Sequence, residues 1–338
     1  MSATGSMFGL AFGDSMGKPT EFQRFEEIVR RHGPAGPSDL PEGGLVTDDT
    51  QMALAVADAL LEQPPVPDLQ VELFTKSLIT HFLIWAKSPD NNRAPGMTCL
   101  RACAGLSEGR PWPQATQRGS KGCGANMRVT PIGLVPHLSP TTLAGAAQLQ
   151  AALTHGHATA LAASDLTAFA TRWLLEGMAP TDLVPALRER CQEQRRVYHR
   201  TWLGDDLWQV PYRDTPEDFI EHGWDECAAV LDRLAEASRY PDRNSDPCLA
   251  TGEGWIAEEA LATALLCFLM YPDEPVRALG RAAATGGDSD SIAALAGAFA
   301  GARHGMAAFP AGWSERIEYR PRLARAGATW DAGWGLAE

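Results

Sequence analysis

The sequence has 338 residues, and 45% of them are hydrophobic, enough to bury a substantial core in one or two domains. Acidic residues outnumber basic ones by 42 to 29, and the formal net charge of −13 argues against a nucleic-acid-binding surface built on bulk positive charge. No stretch of roughly eighteen apolar residues is free of charges and helix breakers, so we predict no membrane-spanning helix.

The N-terminus and the cysteines bear on the cellular compartment. The first residues, MSATGSMFGLAFGDSMG, have no basic region, and Asp14 interrupts their apolar run, so we predict no signal peptide. The seven cysteines are odd in number and form no CxxC motif, which favours reduced thiols over a disulfide scaffold. Together these features predict a cytoplasmic protein.

The first predicted helix carries a stripe of glycines. Gly5, Gly9, Gly13 and Gly17 recur every fourth residue and therefore lie on one face of a helix. Each glycine costs a helix about 1 kcal/mol relative to alanine. Four of them on one face predict tight burial against another backbone.

Apolar residues at helical spacing predict further helices along the chain. These are expected at 47–63, 71–88, 165–178 and 258–272, and in the Ala/Gly-rich run after Ser291. Runs with strand-like alternation are short and broken by proline, so the predicted fold class is all-α. No linker divides the chain into halves. Residues 188–250 are more polar and turn-rich, and we interpret them as an insertion over the rest.

Two acidic segments, VTDDT and GGDSDS, each precede a predicted helix. They supply Thr47, Asp48, Asp49 and Thr50, and Asp288, Ser289, Asp290 and Ser291. Helix N-capping explains one oxygen in each segment, but adjacent carboxylates repel each other and only one can cap. If the two helix starts meet, their four carboxylates need cations to stay ionised near neutral pH. Oxygen ligands suit Mg²⁺, Mn²⁺ or Ca²⁺, and a pair of ions about 4 Å apart would satisfy such a site.

Three other motifs have both ordinary and functional interpretations. FGDSMGKPTEF places Asp14 in the glycine stripe and Glu21 beyond a helix end, where a glutamate is often simply solvated. RGSKGCGANMRVTPIG, at 118–133, is either an ordinary loop or a glycine-rich loop that offers backbone N–H groups to phosphate. LTHGHATA is either a histidine-lined loop that contacts a ligand or a helix start capped by Thr154.

Taken in order, these motifs resemble the signature series of the ADP-ribosylglycohydrolases. The series comprises Asp14 and Glu21, TDDT, GSKGCGANMR, LTHGH, GEGWIAEEALATAL and GGDSDS, and it spans roughly residues 5–315. The resemblance implies a compact single-domain orthogonal helical bundle over 1–338, with a two-metal site at the base of an ADP-ribose cleft. The implied cofactors are two divalent cations, Mg²⁺ or Mn²⁺.

The resemblance also assigns roles to individual residues. The implied metal ligands are Thr47, Asp48, Asp49, Asp288, Asp290 and Ser291, where Ser291 replaces a more usual threonine. The implied catalytic residues are Glu21, Asp48 and Asp49. The implied substrate-binding residues are Asp14, Ser120, Lys121, Gly122, Cys123, Gly124, Asn126 and His155. Lys121, Cys123 and Asn126 depart from the family pattern in the loop expected to hold the diphosphate.

The function implied is metal-dependent removal of ADP-ribose from a modified target, an ADP-ribosylated protein or another ADP-ribosylated molecule, with the N-glycosidic linkage to arginine as the first expectation. The same fold serves other linkages: serine, an O-acetyl ester or a nucleic-acid base. Residues 188–250 would then set specificity. A catalytically silent ADP-ribose-binding relative is a further alternative, although the intact carboxylates argue against it. A hydrolase of another ribosylated small molecule is also open. We expect a monomer that binds neither nucleic acid stably nor a membrane.

Overall fold

The computed structural model describes residues 1–64 and 69–335, and 66% of the structure is helical. The α-helices are α1 (Ala3–Gly17), α2 (Phe25–His32), α3 (Asp48–Leu61), α4 (Val71–Ala86), α5 (Met97–Ser107), α6 (Trp112–Ala115), α7 (Thr130–Leu134), α8 (Pro140–Ala152), α9 (Ala158–Leu175), α10 (Pro180–Gln194), α11 (Arg200–Leu203), α12 (Pro216–Arg239), α13 (Cys248–Thr251), α14 (Ala257–Met270), α15 (Pro275–Ala283), α16 (Ser289–His304), α17 (Trp313–Arg316) and α18 (Arg320–Asp331). Within these described ranges the only β-structure consists of two isolated bridges, so the all-α prediction is confirmed.

The glycine stripe of α1 packs directly on α16, as the sequence predicts. The two helices run antiparallel, since Gly5 lies beside Gly301 and Gly17 lies beside Asp290. A Cβ atom placed on Gly9 would lie 2.1 Å from the carbonyl oxygen of Gly297. Backbones this close leave no room for side chains between them, and the pair forms a rigid centre for the fold.

The predicted helix positions hold, with shifts at their ends. The helix expected at 165–178 is α9, which begins earlier, at Ala158. Its first turns are rich in alanine and threonine and show no apolar stripe, because neighbours bury them on every side. It ends at Leu175, and Gly177 follows with a positive φ of 97°.

The polar stretch 188–250 is not an overlay on the bundle. Its longest element is α12, which packs against α9 and α14 and buries Trp224 completely. A Cβ atom on Gly223 would lie 2.3 Å from the backbone of Ala158. The backbones of α12 and of the start of α9 are therefore too close for any side chain at position 223. The apolar residues of α12 follow helical spacing and its charged residues lie on the outer face, so the sequence did carry a signal for a packed helix here. The role of 188–250 in specificity stays a prediction.

Two other predictions concern cysteines and membranes. All seven cysteines are free, and all are buried. In the described parts of the chain, no helix combines the length and apolar character needed to cross a bilayer. The first finding agrees with the expected absence of a disulfide scaffold.

Candidate active site

A cleft of about 260 Å³ opens where α3 and α16 begin. It brings together ten of the residues singled out from the sequence. These are Glu21, Asp48, Asp49, Gly122, Cys123, Gly124, His155, Asp288, Asp290 and Ser291. The two helix starts therefore meet in space, which is the condition under which the acidic segments form one site.

At the start of α3, the cap and the carboxylates have separate tasks. Thr47 is the N-cap, and its hydroxyl accepts a hydrogen bond from the N–H of Asp49 at 3.4 Å. Asp48 and Asp49 follow in the first turn of the helix, where the helix dipole favours negative charge. An oxygen of Asp48 accepts the N–H of Gly96 at 3.1 Å, which fixes the carboxylate from the facing loop.

At the start of α16, capping also leaves the carboxylates free. Asp288 is the N-cap residue, but its side chain makes no capping hydrogen bond. Its N–H donates instead to the carbonyl of Glu253 at 2.8 Å. Beyond burial, the charge of Asp290 raises the pKa values of both Glu21 and Asp288. The carboxylates lie close enough to repel one another, so this cluster is short of positive charge.

Several carboxyl groups in this cluster have raised pKa values, as expected where positive charge is lacking. Burial, and next the charge of Asp290, raise the pKa of Asp14 to about 7. Burial raises the pKa of Asp48 to about 7 and that of Glu21 to about 9. The pKa values of Asp49 and Asp288 lie well above 3.8 for the same reasons. Without cations, several of these groups hold protons at neutral pH.

The donor set suits hard divalent cations. Carboxylate and hydroxyl oxygens are the ligands that Mg²⁺, Mn²⁺ and Ca²⁺ prefer. Asp49 Oδ1 is buried and has no hydrogen-bond partner, as expected for an oxygen reserved for an ion. In the described residues, no three acidic, histidine or cysteine side chains already surround one point as ligands. Cations would therefore have to draw these oxygens together.

Asp14 lies behind the cleft and not on its wall. It is fully buried and accepts hydrogen bonds from the N–H and hydroxyl groups of both Thr47 and Thr50. This placement differs from the predicted contact with substrate. Asp14 instead ties the end of α1 to the first turn of α3 and so positions Thr47.

The glycine-rich loop forms one wall of the cleft and is held by the segment before α14. The N–H of Cys123 donates to the carbonyl of Trp255 at 3.0 Å, and the N–H of Ala257 donates to the carbonyl of Lys121 at 2.9 Å. This short antiparallel pairing was not visible in the sequence, because its partners lie more than a hundred positions apart. It also engages the Cys123 N–H, which was expected to face a phosphate.

Three predicted substrate residues of this loop lie off the cleft wall. The Lys121 ammonium forms ion pairs with Glu226 and Glu258. The side chain of Asn126 is buried and donates to the carbonyl of Ala257 at 3.1 Å. Ser120 borders a neighbouring groove of about 650 Å³. The loop thus faces the cleft chiefly through 122–124.

Comparison with known proteins agrees with this geometry. A family model described as ADP-ribosylglycohydrolase matches residues 2–335. The chain belongs to the ADP-ribosylglycohydrolase family. Membership indicates a glycohydrolase, in a family that acts on ADP-ribosylated substrates.

Relatives of this glycohydrolase cover nearly its full length. It is 28% identical to the ADP-ribosylhydrolase ARH3 of Homo sapiens, over 93% of this chain and 88% of that protein. It is 24% identical to the ADP-ribosyl-[dinitrogen reductase] glycohydrolase of Rhodospirillum rubrum, over 94% of this chain and 90% of that protein. A solved ADP-ribosylglycohydrolase-related protein complex shares the fold, with a TM-score of 0.66, 24% identity, and coverage of 98% of this chain and 97% of that one.

Sequence analysis missed an aromatic pair at the mouth of this glycohydrolase cleft. Phe22 and Trp255 stack with ring centroids 5.5 Å apart and planes 16° from parallel. Phe22 has a positive φ of 62° and is exposed, which is unusual for a large apolar residue. The adjacency of Phe22 to Glu21 was the available signal, whereas the position of Trp255 depends on a tertiary contact.

The two histidines of LTHGH take different roles. His155 lines the cleft, while His157 is the N-cap of α9, its ring nitrogen accepting the N–H of Thr159 at 3.2 Å. Thr154 therefore does not cap this helix. Its hydroxyl is buried and bonded to the His155 ring.

Proposed function

We propose that this chain is a divalent-metal-dependent ADP-ribosylhydrolase that releases ADP-ribose from a modified protein, with the N-glycosidic bond to arginine as the first candidate linkage. The observation that carries the proposal is the convergence of the α3 and α16 starts on one cleft, where the carboxylates outnumber the positive charges available to them. Family membership supplies the class of substrate.

Thr47, Asp48, Asp49, Asp288, Asp290 and Ser291 are the proposed holders of two cations, Mg²⁺ or Mn²⁺. When bound, such ions orient a ribose through its hydroxyls and lower the pKa of a water molecule. Asp14 keeps Thr47 in place from behind, and Gly96 does the same for Asp48. The ligand set is therefore built on two helix starts and braced by a third helix.

Glu21 is the proposed residue for moving a proton. It is half-buried at the cleft, and burial together with the charge of Asp290 raises its pKa to about 9. A protonated carboxyl group there can donate to the leaving atom and later accept a proton from water, a form of assistance typically worth about 10²–10⁴ in rate. Asp48 and Asp49 lie beneath it and supply negative charge to an oxocarbenium-like transition state.

The deciding experiment measures release of ADP-ribose from arginine-ADP-ribosylated protein with Mg²⁺, Mn²⁺ or chelator. We expect metal-dependent release by the wild type and a loss of at least about 10³-fold for Asp290→Ala, since removing a ligand and its charge disables the site. Asp273→Ala, at an exposed turn outside residues 188–250, is the matched control and should retain full activity. Tight binding of ADP-ribose without release from arginine would instead direct the assay to another linkage.

A second linkage is worth testing in parallel, because relatives from several vertebrates are named ADP-ribosylhydrolase ARH3, whereas the name of the Rhodospirillum rubrum relative specifies dinitrogen reductase. Serine-linked ADP-ribose, O-acetyl-ADP-ribose and an ADP-ribosylated nucleic-acid base make the natural panel. If the protein releases ADP-ribose from one of these substrates and not from arginine, the proposed arginine linkage is wrong and the hydrolase assignment stands. Binding without release from any of them would indicate a silent ADP-ribose-binding protein.

A further inference from the structure

Arg128 is a buried cation with neutral hydrogen-bond partners. Its side chain has no exposed surface, and no carboxylate of the described residues lies within ion-pairing distance of it. The guanidinium donates to the side-chain oxygen of Gln150 at 2.7 Å and to the hydroxyl of Thr154 at 2.7 Å, and it lies 4.4 Å from the centre of the Phe82 ring. Burying such a charge is unfavourable, so we expect Arg128 to have a role beyond packing.

The hydrogen bonds around Thr154 determine which nitrogen of His155 carries the proton. Arg128 can only donate, so the Thr154 hydroxyl accepts from it. The same hydroxyl lies 2.8 Å from Nδ1 of His155. If Nδ1 has no hydrogen, it accepts the hydroxyl hydrogen of Thr154. If Nδ1 carries a hydrogen, the hydroxyl hydrogen has no acceptor there, and an unpaired donor is costly at a fully buried group. The arrangement therefore selects the tautomer with hydrogen on Nε2.

The Nε2 edge of the His155 ring faces the glycine-rich loop. Nε2 lies 3.3 Å from the point where a Cβ atom of Gly122 would be, and 3.3 Å from the corresponding point for Gly124. The two glycines thus leave the space that the ring occupies, and the ring borders the cleft beside them. A hydrogen on Nε2 therefore faces the glycine-rich wall of the cleft.

We propose that Arg128 and Thr154 are positioning residues that hold His155 as a neutral Nε2–H donor for a diphosphate oxygen of the bound ADP-ribose. This rests on the proposed function for the identity of the ligand. The His155 ring is nearly fully buried, and burial followed by the charge of Arg128 lowers its pKa well below 6.5, so the ring stays neutral. A neutral donor suits a site that must bind an anion and release it again.

The tautomer is measured directly by NMR of protein labelled with ¹⁵N-histidine, with His155→Gln used to assign the signals. We expect His155 to be protonated on Nε2 in the wild type and in Thr154→Ser, and to lose that preference in Thr154→Val. Nδ1 protonation in the wild type would overturn the proposal. This readout requires no catalysis and no ligand, so it is independent of whether the protein is a hydrolase.

Binding of ADP-ribose, followed by calorimetry, tests the link to the ligand. Thr154→Val should weaken binding by about 3- to 10-fold, the effect of one hydrogen bond, while Thr154→Ser should match the wild type. The same Thr154→Val change should have no further effect in a His155→Ala background, because the hydroxyl acts through the ring. Equal weakening in both backgrounds would show a purely structural role and overturn the proposal. Absence of ADP-ribose binding in the wild type would contradict both the ligand assigned here and the proposed function, whereas the NMR result would still decide the tautomer.

Discussion

At the scale of single residues, the cleft separates side chains that face a ligand from side chains that hold them. Asp14 and Asp290 were both singled out from the sequence, yet Asp14 lies behind the wall and Asp290 on it. Motif spacing predicts which segments meet but not the depth of each side chain. The ion pairs of Lys121 illustrate this, since its partners Glu226 and Glu258 come from helices far along the chain.

Cys123 is a nucleophilic side chain on the cleft wall, and we expect the reaction not to use it. Burial, followed by the charge of Asp288, raises the pKa of its thiol well above 9, so the reactive thiolate is scarce at neutral pH. We expect Cys123→Ala to keep kcat within about tenfold of the wild type, the effect of losing its hydrogen bond to Ser291. Loss of a catalytic nucleophile costs about 10⁶-fold in a serine protease, which sets the scale of such an effect. A loss of that size in steady-state kinetics would make the thiol part of the reaction.

At the scale of helices, the sequence was most informative where a pattern reports packing. The glycine stripe predicted a close backbone approach, and α16 provides it with glycines of its own, Gly297 and Gly301. The acidic segments predicted two helix starts, and both are found at the cleft. The apolar stripe of α12, with Ile220, Trp224 and Cys227 at helical spacing, is readable from the sequence, but the helices that cover it, α9 and α14, depend on tertiary contacts that spacing does not report.

The α1–α16 contact makes a sharp prediction for stability. Gly9→Ala should gain about 1 kcal/mol of helix propensity but lose more, because the new Cβ atom would lie 2.1 Å from the Gly297 oxygen. We expect a net decrease of about 1–3 kcal/mol in the free energy of unfolding, the usual effect of overpacking a core. Denaturant titration measures it.

Gly312→Ala is the matched control for that substitution. Nothing lies within 4 Å of the added Cβ atom, and the backbone there has a φ of −70° that any residue adopts. Its midpoint of denaturation should equal or slightly exceed that of the wild type. If Gly9→Ala were as stable as this control, the close packing of α1 on α16 would be wrong.

At the scale of the whole molecule, the raised pKa values of the acidic site couple stability to pH, and the proposed cations would add a second coupling. A carboxyl group whose pKa is higher in the folded state than in the unfolded state favours folding when protonated, so its contribution is lost as pH rises. For Asp14 and Asp48 the window runs from 3.8 to about 7. In chelator, the melting temperature should therefore fall as pH increases through this window.

Addition of Mg²⁺ or Mn²⁺ at pH 7.5 should reverse that fall, since cations replace the lost protons and bind only the folded state. Asp290→Asn offers the comparison, because it removes the charge that raises the pKa values of its neighbours. In chelator it should melt at a higher temperature than the wild type at pH 7.5, and respond less to the cations. A wild-type melting curve insensitive to both cations would remove the basis for a metal site.

The pairing of α1 with α16 also sets an order of events during synthesis. The first helix leaves the ribosome with its glycine face bare, and its partner is made only after most of the chain, some 15–55 s later at about 5–20 residues per second. Ala3 and Thr4 are likewise held by Asp331, near the other end of the chain. The acidic site therefore cannot assemble on a nascent chain, and no shortened product that ends before α16 will carry it.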